Sequence, residues 1–106
     1  MSDQPTPRPL VALARRTTAI AHLTRLAVLL KDRGLEAGVK ADGRMPHLVV
    51  TNPGARQLTE TIYAGPGFAD VWRFWWSWHE PIDTVDDDRE AAERIARVLS
   101  FAEQRR

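Results

Sequence analysis

The stretch VWRFWWSWHEP, residues 71–81, contains all four tryptophans of a chain of 106 residues. Its aromatic content predicts a β-strand over residues 68–78, ended by Pro81. Because alternate side chains of a strand point to opposite faces, one face carries a row of aromatic residues: Trp72, Phe74, Trp76 and Trp78. We expect this row to form the floor of the hydrophobic core. Trp75 then lies on the other face, with Arg73 and Ser77.

Both ends of the chain have the apolar period of a helix. In residues 10–33 apolar residues recur at three- and four-residue spacing and form one stripe of a helix. Gly34 predicts the C-terminal end of this helix. This stripe contains Leu13, Ile20, Leu23, Ala27 and Leu30, with Leu26 at its border. Residues 82–106 predict a second helix, whose acidic start suits the positive end of the helix dipole. Its apolar face contains Ala91, Ala92, Ile95, Val98, Leu99 and Ala102.

Between the helices, the apolar period changes to two. Strands are predicted over residues 35–40, 47–52, 58–64 and 68–78, separated by turn sequences rich in glycine, proline, asparagine and aspartate. Short connections favour a four-stranded antiparallel meander. The predicted fold is an α+β two-layer sandwich with the N-terminal and C-terminal helices on one face of that sheet. Residues 1–9, with three prolines, are predicted to be a flexible tail, and residues 10–106 a single domain.

Composition narrows the classes of function. The chain has 15 basic and 14 acidic residues and a net charge of +1, which makes nucleic-acid binding improbable. It has no cysteine, which excludes disulfides and thiolate chemistry. We see neither a secretory signal nor an apolar run long enough for a membrane span. A cytoplasmic protein without membrane contact is therefore predicted.

No motif predicts a catalytic, cofactor or metal site. The three histidines, His22, His47 and His79, lack metal-ligand spacing, and the acidic cluster of residues 83–88 lacks the loop pattern of a calcium site. His79, Glu80 and Asp83 could form an acid/base group only if the fold brought them together. We therefore predict a protein that is not an enzyme and has no cofactor.

The second sheet face is the predicted interaction site. Trp, Tyr and Arg are enriched in binding hot spots, and this face combines them: Trp75, Arg73, Tyr63, Val49 and Ser77. We expect protein association through it, as a homodimer or with a larger partner, in a regulatory or accessory role. The alternatives are binding of a small ligand or of single-stranded nucleic acid on the same face, or coverage of the face by the N-terminal tail.

Four short motifs follow one another along the chain. They are R-G-L after the first helix, P-H-L-V-V-T-N-P, F-W-W-S-W, and D-D-x-x-x-A-A-x-R-I-A-x-V-L in the second helix. This combination resembles a group of short uncharacterised proteins of high-GC Gram-positive bacteria, over about residues 10–100. The group has no established activity, so the resemblance implies only a small accessory or regulatory protein. Where these proteins commonly have glycine after W-S-W, this chain has His79.

Overall fold

The computed structural model describes the backbone of residues 8–43 and 45–104 and the side chains of residues 9–43 and 45–100. Two helices flank five strands in the chain order α1 (Arg8–Asp32), β1 (Glu36–Lys40), β2 (His47–Asn52), β3 (Ala55–Pro66), β4 (Trp72–Trp76), β5 (Pro81–Thr84) and α2 (Asp88–Gln104). The strands form one antiparallel sheet in the order β1-β2-β3-β4-β5. The predicted α+β meander with a helix at each end is confirmed, with one strand more than the four predicted.

The additional strand, β5, lies where the sequence predicted the start of the second helix. Pro81 and the β-branched Ile82 and Thr84 favour extended backbone, and β5 pairs with β4 through a bulge beside Phe74. A single 3-10 turn over residues 85–87 follows, and α2 begins only at Asp88. The prediction was wrong here because the acidic cluster suits a helix start anywhere within its length.

Both helices pack on the same face of the sheet, against the even-numbered residues of β2, β3 and β4. The fully buried sheet side chains are Leu48, Val50, Ile62 and Phe74, and the buried helix side chains are Ala19, Leu23, Leu26, Ala27, Leu30, Ala91, Ala92, Ile95 and Leu99. Small helix residues thus oppose large sheet residues, which fills the layer at normal packing density. Two residues predicted for the apolar helix stripes, Leu13 and Val98, are exposed instead.

Three of the four aromatic residues assigned to the core face are there, and Trp78 is not. Phe74 and Trp76 are buried and Trp72 is half-buried, but β4 ends at Trp76. The chain then turns, as the Trp76 amide donates to the Glu80 carbonyl and the His79 amide donates to the Trp76 carbonyl. Trp78 is therefore 52% exposed and stacks on Trp76 at a ring-centroid distance of 5.0 Å.

The turn after Trp78 contains a residue in the left-handed backbone region. His79 has a φ of 67°, a conformation that glycine adopts without steric cost. A glycine at this position would fit the same turn.

The predicted stop of the first helix at Gly34 is confirmed. Gly34 has a φ of 87°, its amide donates to the Lys31 carbonyl, and the Leu35 amide donates to the Leu30 carbonyl. This pair of bonds is the Schellman motif, which commonly joins two apolar residues across the helix end. Here those residues are Leu30 and Leu35, both buried.

The predicted tail, residues 1–9, lies mostly outside the described residues. The part that is described, Arg8 and Pro9, already belongs to the first turn of α1, where proline has no amide bond to lose.

Candidate functional site

The candidate site is the sheet face opposite the helices. Odd-numbered residues of β2, β3 and β4 point to this side, and no described element covers them. We call it the Trp75 face and define it by His47, Val49, Thr61, Tyr63, Arg73 and Trp75. Its side chains are half-buried because each is shielded by its neighbours on the sheet.

Trp75 lies flat along the sheet and is held in place on two sides. Its Nε1 donates a hydrogen bond to the Gly65 carbonyl at 3.1 Å. Its six-membered ring lies over Gly67, where an added Cβ would stand only 3.1 Å from Cζ2 of the indole. Glycine at position 67 therefore makes room for the indole, and the ring has one orientation before any partner binds.

Three rings form a row across three adjacent strands. Tyr63 lies directly opposite Trp75 in the β3–β4 register. On its other side, the Tyr63 ring lies 5.9 Å from the His47 ring, at an angle of 50°. His47 is itself oriented by a contact of 3.0 Å between its Nδ1 and the Met45 carbonyl. His47, Tyr63 and Trp75 thus occupy consecutive positions across three strands, and the His47 and Tyr63 rings are in contact.

An open groove of about 450 Å³ runs beside this row. The side chains that line it include Tyr63, Trp75, Ser77, His79 and Met45, and Met45 is 54% exposed. The lining combines apolar surface with a hydroxyl group and an imidazole. Such a groove can accept one apolar side chain and hydrogen-bond the polar groups next to it.

Arg73 lies at the border of the groove. Its Cδ packs beside Gly67, and its backbone lies opposite Gly65 on β3 and Thr84 on β5. Within the described part of the chain, no carboxylate lies within ion-pair distance of its guanidinium group. The guanidinium group can therefore bind a carboxylate from outside, in the two-bond geometry that arginine favours.

The five residues predicted for the site are not all neighbours. Tyr63, Trp75 and Ser77 line the groove, and Arg73 stands at its border. Val49 is on the same face but lies between Gly38 and Thr61, away from the groove. The sequence alone did not decide whether Val49 or His47 of β2 lies beside Tyr63. In the structure His47 lies there. The bulge at Asn52 sets this register, and no sequence signal gives its length.

Two other apolar surfaces were not predicted. The first turns of α1 expose Leu10 and Leu13, beside a groove of about 680 Å³ over Trp72 and Pro66. The hairpin between β3 and β4 exposes 92% of Phe68. Its next two residues, Ala69 and Asp70, both have a φ of 58°, as in the tight turns that usually contain Asn-Gly.

One ion pair crosses the helix-free side at the far edge of the sheet. Arg56 donates from Nη1 and Nη2 to the two carboxylate oxygens of Glu36, both at 2.9 Å. These hydrogen bonds lower the pKa of Glu36 below its ordinary value. Both side chains are exposed, so the pair fixes the orientation of Glu36 more than it adds stability.

The possible acid/base residues do not meet in any described contact. Glu80 accepts a hydrogen bond of 3.4 Å from Trp78 Nε1, whereas Asp83 lies 3.8 Å from the Arg94 guanidinium. His79 is exposed beside the groove. Among the described residues, no group of three or more His, Asp or Glu side chains is placed to hold a metal ion.

Neither described helix combines the length and the apolar character that crossing a membrane requires. No protein-family model, curated protein or solved structure matches the chain. The resemblance to short proteins of high-GC Gram-positive bacteria therefore stays a prediction from the sequence.

Proposed function

We propose that this chain is a non-catalytic protein-interaction domain that binds a protein partner through the Trp75 face. The observation that carries the proposal is the pair Trp75 and Tyr63, cross-strand neighbours beside an open groove on the uncovered side of the sheet. Trp, Tyr and Arg are the residue types enriched in the hot spots of protein interfaces. A cytoplasmic, regulatory or accessory role stays a prediction from the sequence.

The fixed position of Trp75 supports this role. Binding ordinarily costs about 0.5–1.5 kcal/mol for each flexible side chain that becomes ordered. The hydrogen bond to Gly65 and the contact with Gly67 already hold the indole in one orientation. Most of that ordering cost is therefore absent at Trp75, and the exposed part of the large ring is available for contact with a partner.

The charges of the face indicate the chemistry of the partner. Arg73 is available for a carboxylate, while Glu36, the one carboxylate on the described strands of this side, is already bound by Arg56. A second copy packed face to face would thus bring Arg73 only a carboxylate that already shares its charge with Arg56. We infer a different protein, with a segment that places an apolar side chain in the groove and an Asp or Glu beside Arg73.

The test uses peptides from a random-sequence display library, selected for binding to the wild-type chain. Their affinities are measured by titration calorimetry with the wild type, Trp75→Ala, Arg73→Ala and Trp78→Ala. We expect Trp75→Ala to weaken binding at least about tenfold, or about 1.4 kcal/mol. Trp78→Ala is the matched control, since it removes an exposed tryptophan outside the Trp75 face.

Two results would count against the proposal. Selected peptides that bind Trp75→Ala as tightly as the wild type would place the binding surface elsewhere. Single-stranded oligonucleotides that bind the wild type, with an affinity that falls steeply as salt rises, would favour nucleic-acid binding on this face instead.

A further inference from the structure

The outer side of β1 is the open edge of the sheet. An edge strand has unpaired amide and carbonyl groups that can pair with another strand. The opposite edge strand, β5, is short, begins with a proline and contains a bulge, and these features hinder pairing. In contrast, β1 has five consecutive residues in regular register with β2. Within the described part of the chain, no other backbone hydrogen bond involves β1.

The sequence of β1 is complementary to itself. It reads Glu36-Ala37-Gly38-Val39-Lys40. If two copies pair antiparallel about Gly38, Glu36 of each copy lies opposite Lys40 of the other, and Ala37 lies opposite Val39. Opposite charges in such cross-strand positions contribute about 0.2–1 kcal/mol per pair. A shift by two residues places Glu36 opposite Gly38 and loses both charge pairs, so the charges select one register.

The arrangement of the side chains suits this pairing. Glu36, Gly38 and Lys40 are exposed on the helix-free side, while Ala37 is buried and Val39 half-buried on the helix side. In the antiparallel register, Val39 gains the Ala37 of the second copy as a neighbour. The helices of both copies then lie on the same side of one continuous sheet, because directly opposed residues share a face.

Arg56 leaves Glu36 able to bind a second cation. The side chain of Glu36 stays 52% exposed, and a carboxylate has about four acceptor positions, of which Arg56 takes two. The ammonium group of Lys40 from the second copy can take another. Arg56 thereby orients the carboxylate and leaves acceptor positions on it open for Lys40 of the second copy.

Nothing within a single copy of the chain requires glycine at position 38. Its φ is outside the left-handed region, and an added Cβ would meet nothing within 4 Å. A glycine inside a strand costs roughly 0.5–1 kcal/mol relative to alanine, and such a glycine often marks the close approach of another chain. At the centre of the pair, two glycines leave space for the long Lys40 side chains to reach Glu36.

We propose that two copies of this chain join through their β1 edges, antiparallel about Gly38, into a continuous ten-stranded sheet. This dimer goes beyond the proposed function and does not use the Trp75 face. It places two Trp75 faces on one side of the same sheet. A partner with two binding segments would then be held at both faces, with the gain in affinity that bivalent binding brings.

The test is sedimentation velocity across a dilution series. The wild type is expected to change from monomer to dimer as its concentration rises. Lys40→Glu makes both members of each charge pair acidic, and Glu36→Lys makes both members basic. Each variant alone should therefore associate at least about tenfold more weakly, because like charges directly opposite are destabilising. An equimolar mixture of the two variants should associate again, since one strand then carries two acidic and the other two basic residues.

Two controls make the test specific. Arg89→Glu reverses the charge of an exposed residue of α2 and should leave the dimer unchanged. Arg56→Ala removes the ion pair within the chain and shows whether its loss alone explains the effect of Glu36→Lys.

The proposal is overturned if the wild type stays monomeric at every concentration, if both single variants still dimerise, or if their mixture does not. Trp75→Ala should leave the dimer intact. If Trp75→Ala abolishes self-association, the copies meet through the Trp75 face and the edge proposal fails, whereas loss of peptide binding alone concerns only the proposed function. The two proposals can therefore fail separately.

Discussion

Phe74 and Trp75 are adjacent in the chain but lie on opposite sides of the sheet. Phe74 is fully buried under the helices, while Trp75 is half-buried against Gly65 and Gly67. Alternation along the strand accounts for this difference, and the sequence was sufficient to predict it. At Trp78 alternation no longer applies, because the chain has already left the strand.

Stability measurements on these two positions test the assignment of the faces. Phe74→Ala should lower the free energy of unfolding by about 3–5 kcal/mol, because it leaves a cavity in the core. Trp75→Ala loses contacts on one side of the ring and one hydrogen bond, and should cost about 2 kcal/mol or less. Urea denaturation of both variants gives the comparison. An equal or larger loss for Trp75→Ala would place its side chain in the core.

The environment of His22 predicts that the stability of the fold depends on pH near neutrality. Its ring lies 5.7 Å from the Trp72 ring. Burial lowers its pKa from the ordinary value of 6.5, and Arg25 lowers it further, against smaller opposing effects of Asp86 and Asp88. Protonation is therefore harder in the folded chain than in the unfolded chain. The neutral ring carries no penalty at high pH, and stability falls as the pH falls through the unfolded pKa towards the lower folded pKa.

We expect His22→Gln to flatten this dependence. Between about pH 7 and pH 5, the free energy of unfolding of the wild type should fall more than that of the variant, as measured by urea denaturation at each pH. His79→Gln is the comparison, because His79 is exposed. A variant that loses stability over this range as steeply as the wild type would show that His22 is not the titrating group.

At the scale of the elements, the local sequence was enough to predict where a helix or strand ends when a single physical cause sets that end. Gly34 ends α1 because only a left-handed residue closes that helix end, and the turn sequence at residues 52–54 ends β2 as predicted. The start of α2 depended on a competition between extended backbone at residues 81–84 and the acidic helix start. Pairing with β4 decides that competition, and a reading of the local sequence contains no information about such pairing.

Asn52 joins two of these elements. Its Nδ2 donates to the Leu99 carbonyl of α2 at 2.9 Å, and its Oδ1 accepts from the Gly54 amide at 2.9 Å. Because these groups are buried or half-buried, Asn52→Ala leaves them without these partners and should cost about 1–3 kcal/mol.

Asn52→Asp is the informative comparison. It keeps the acceptor for Gly54 but turns a buried carboxylate oxygen towards the Leu99 carbonyl, so it should cost more than Asn52→Ala. Thr51→Ala, on the neighbouring half-buried position, should change stability by less than about 1 kcal/mol. A loss for Asn52→Ala no greater than that for Thr51→Ala would contradict the importance of the link.

At the scale of the whole molecule, the period of the apolar residues predicted the two-layer architecture and the composition of both sheet faces. The detail of the site depended on register. Whether Val49 or His47 lies beside Tyr63 is set by a bulge, and the groove depends on the turn that brings Ser77 and His79 beside Trp75. The exposed start of α1 was missed because Leu13 fits the helical period, although its side chain lies 58% exposed beside an open groove.

The most direct test of the interaction surface is the response of the four tryptophan indole N–H signals in a proton–nitrogen correlation spectrum. The signals are assigned with single Trp→Phe variants, and a display-selected peptide is titrated into the wild type. We predict that the Trp75 signal changes most, while the Trp78 signal, from the exposed turn, stays almost constant. A titration in which Trp72 or Trp78 responds and Trp75 does not would contradict binding at the Trp75 face.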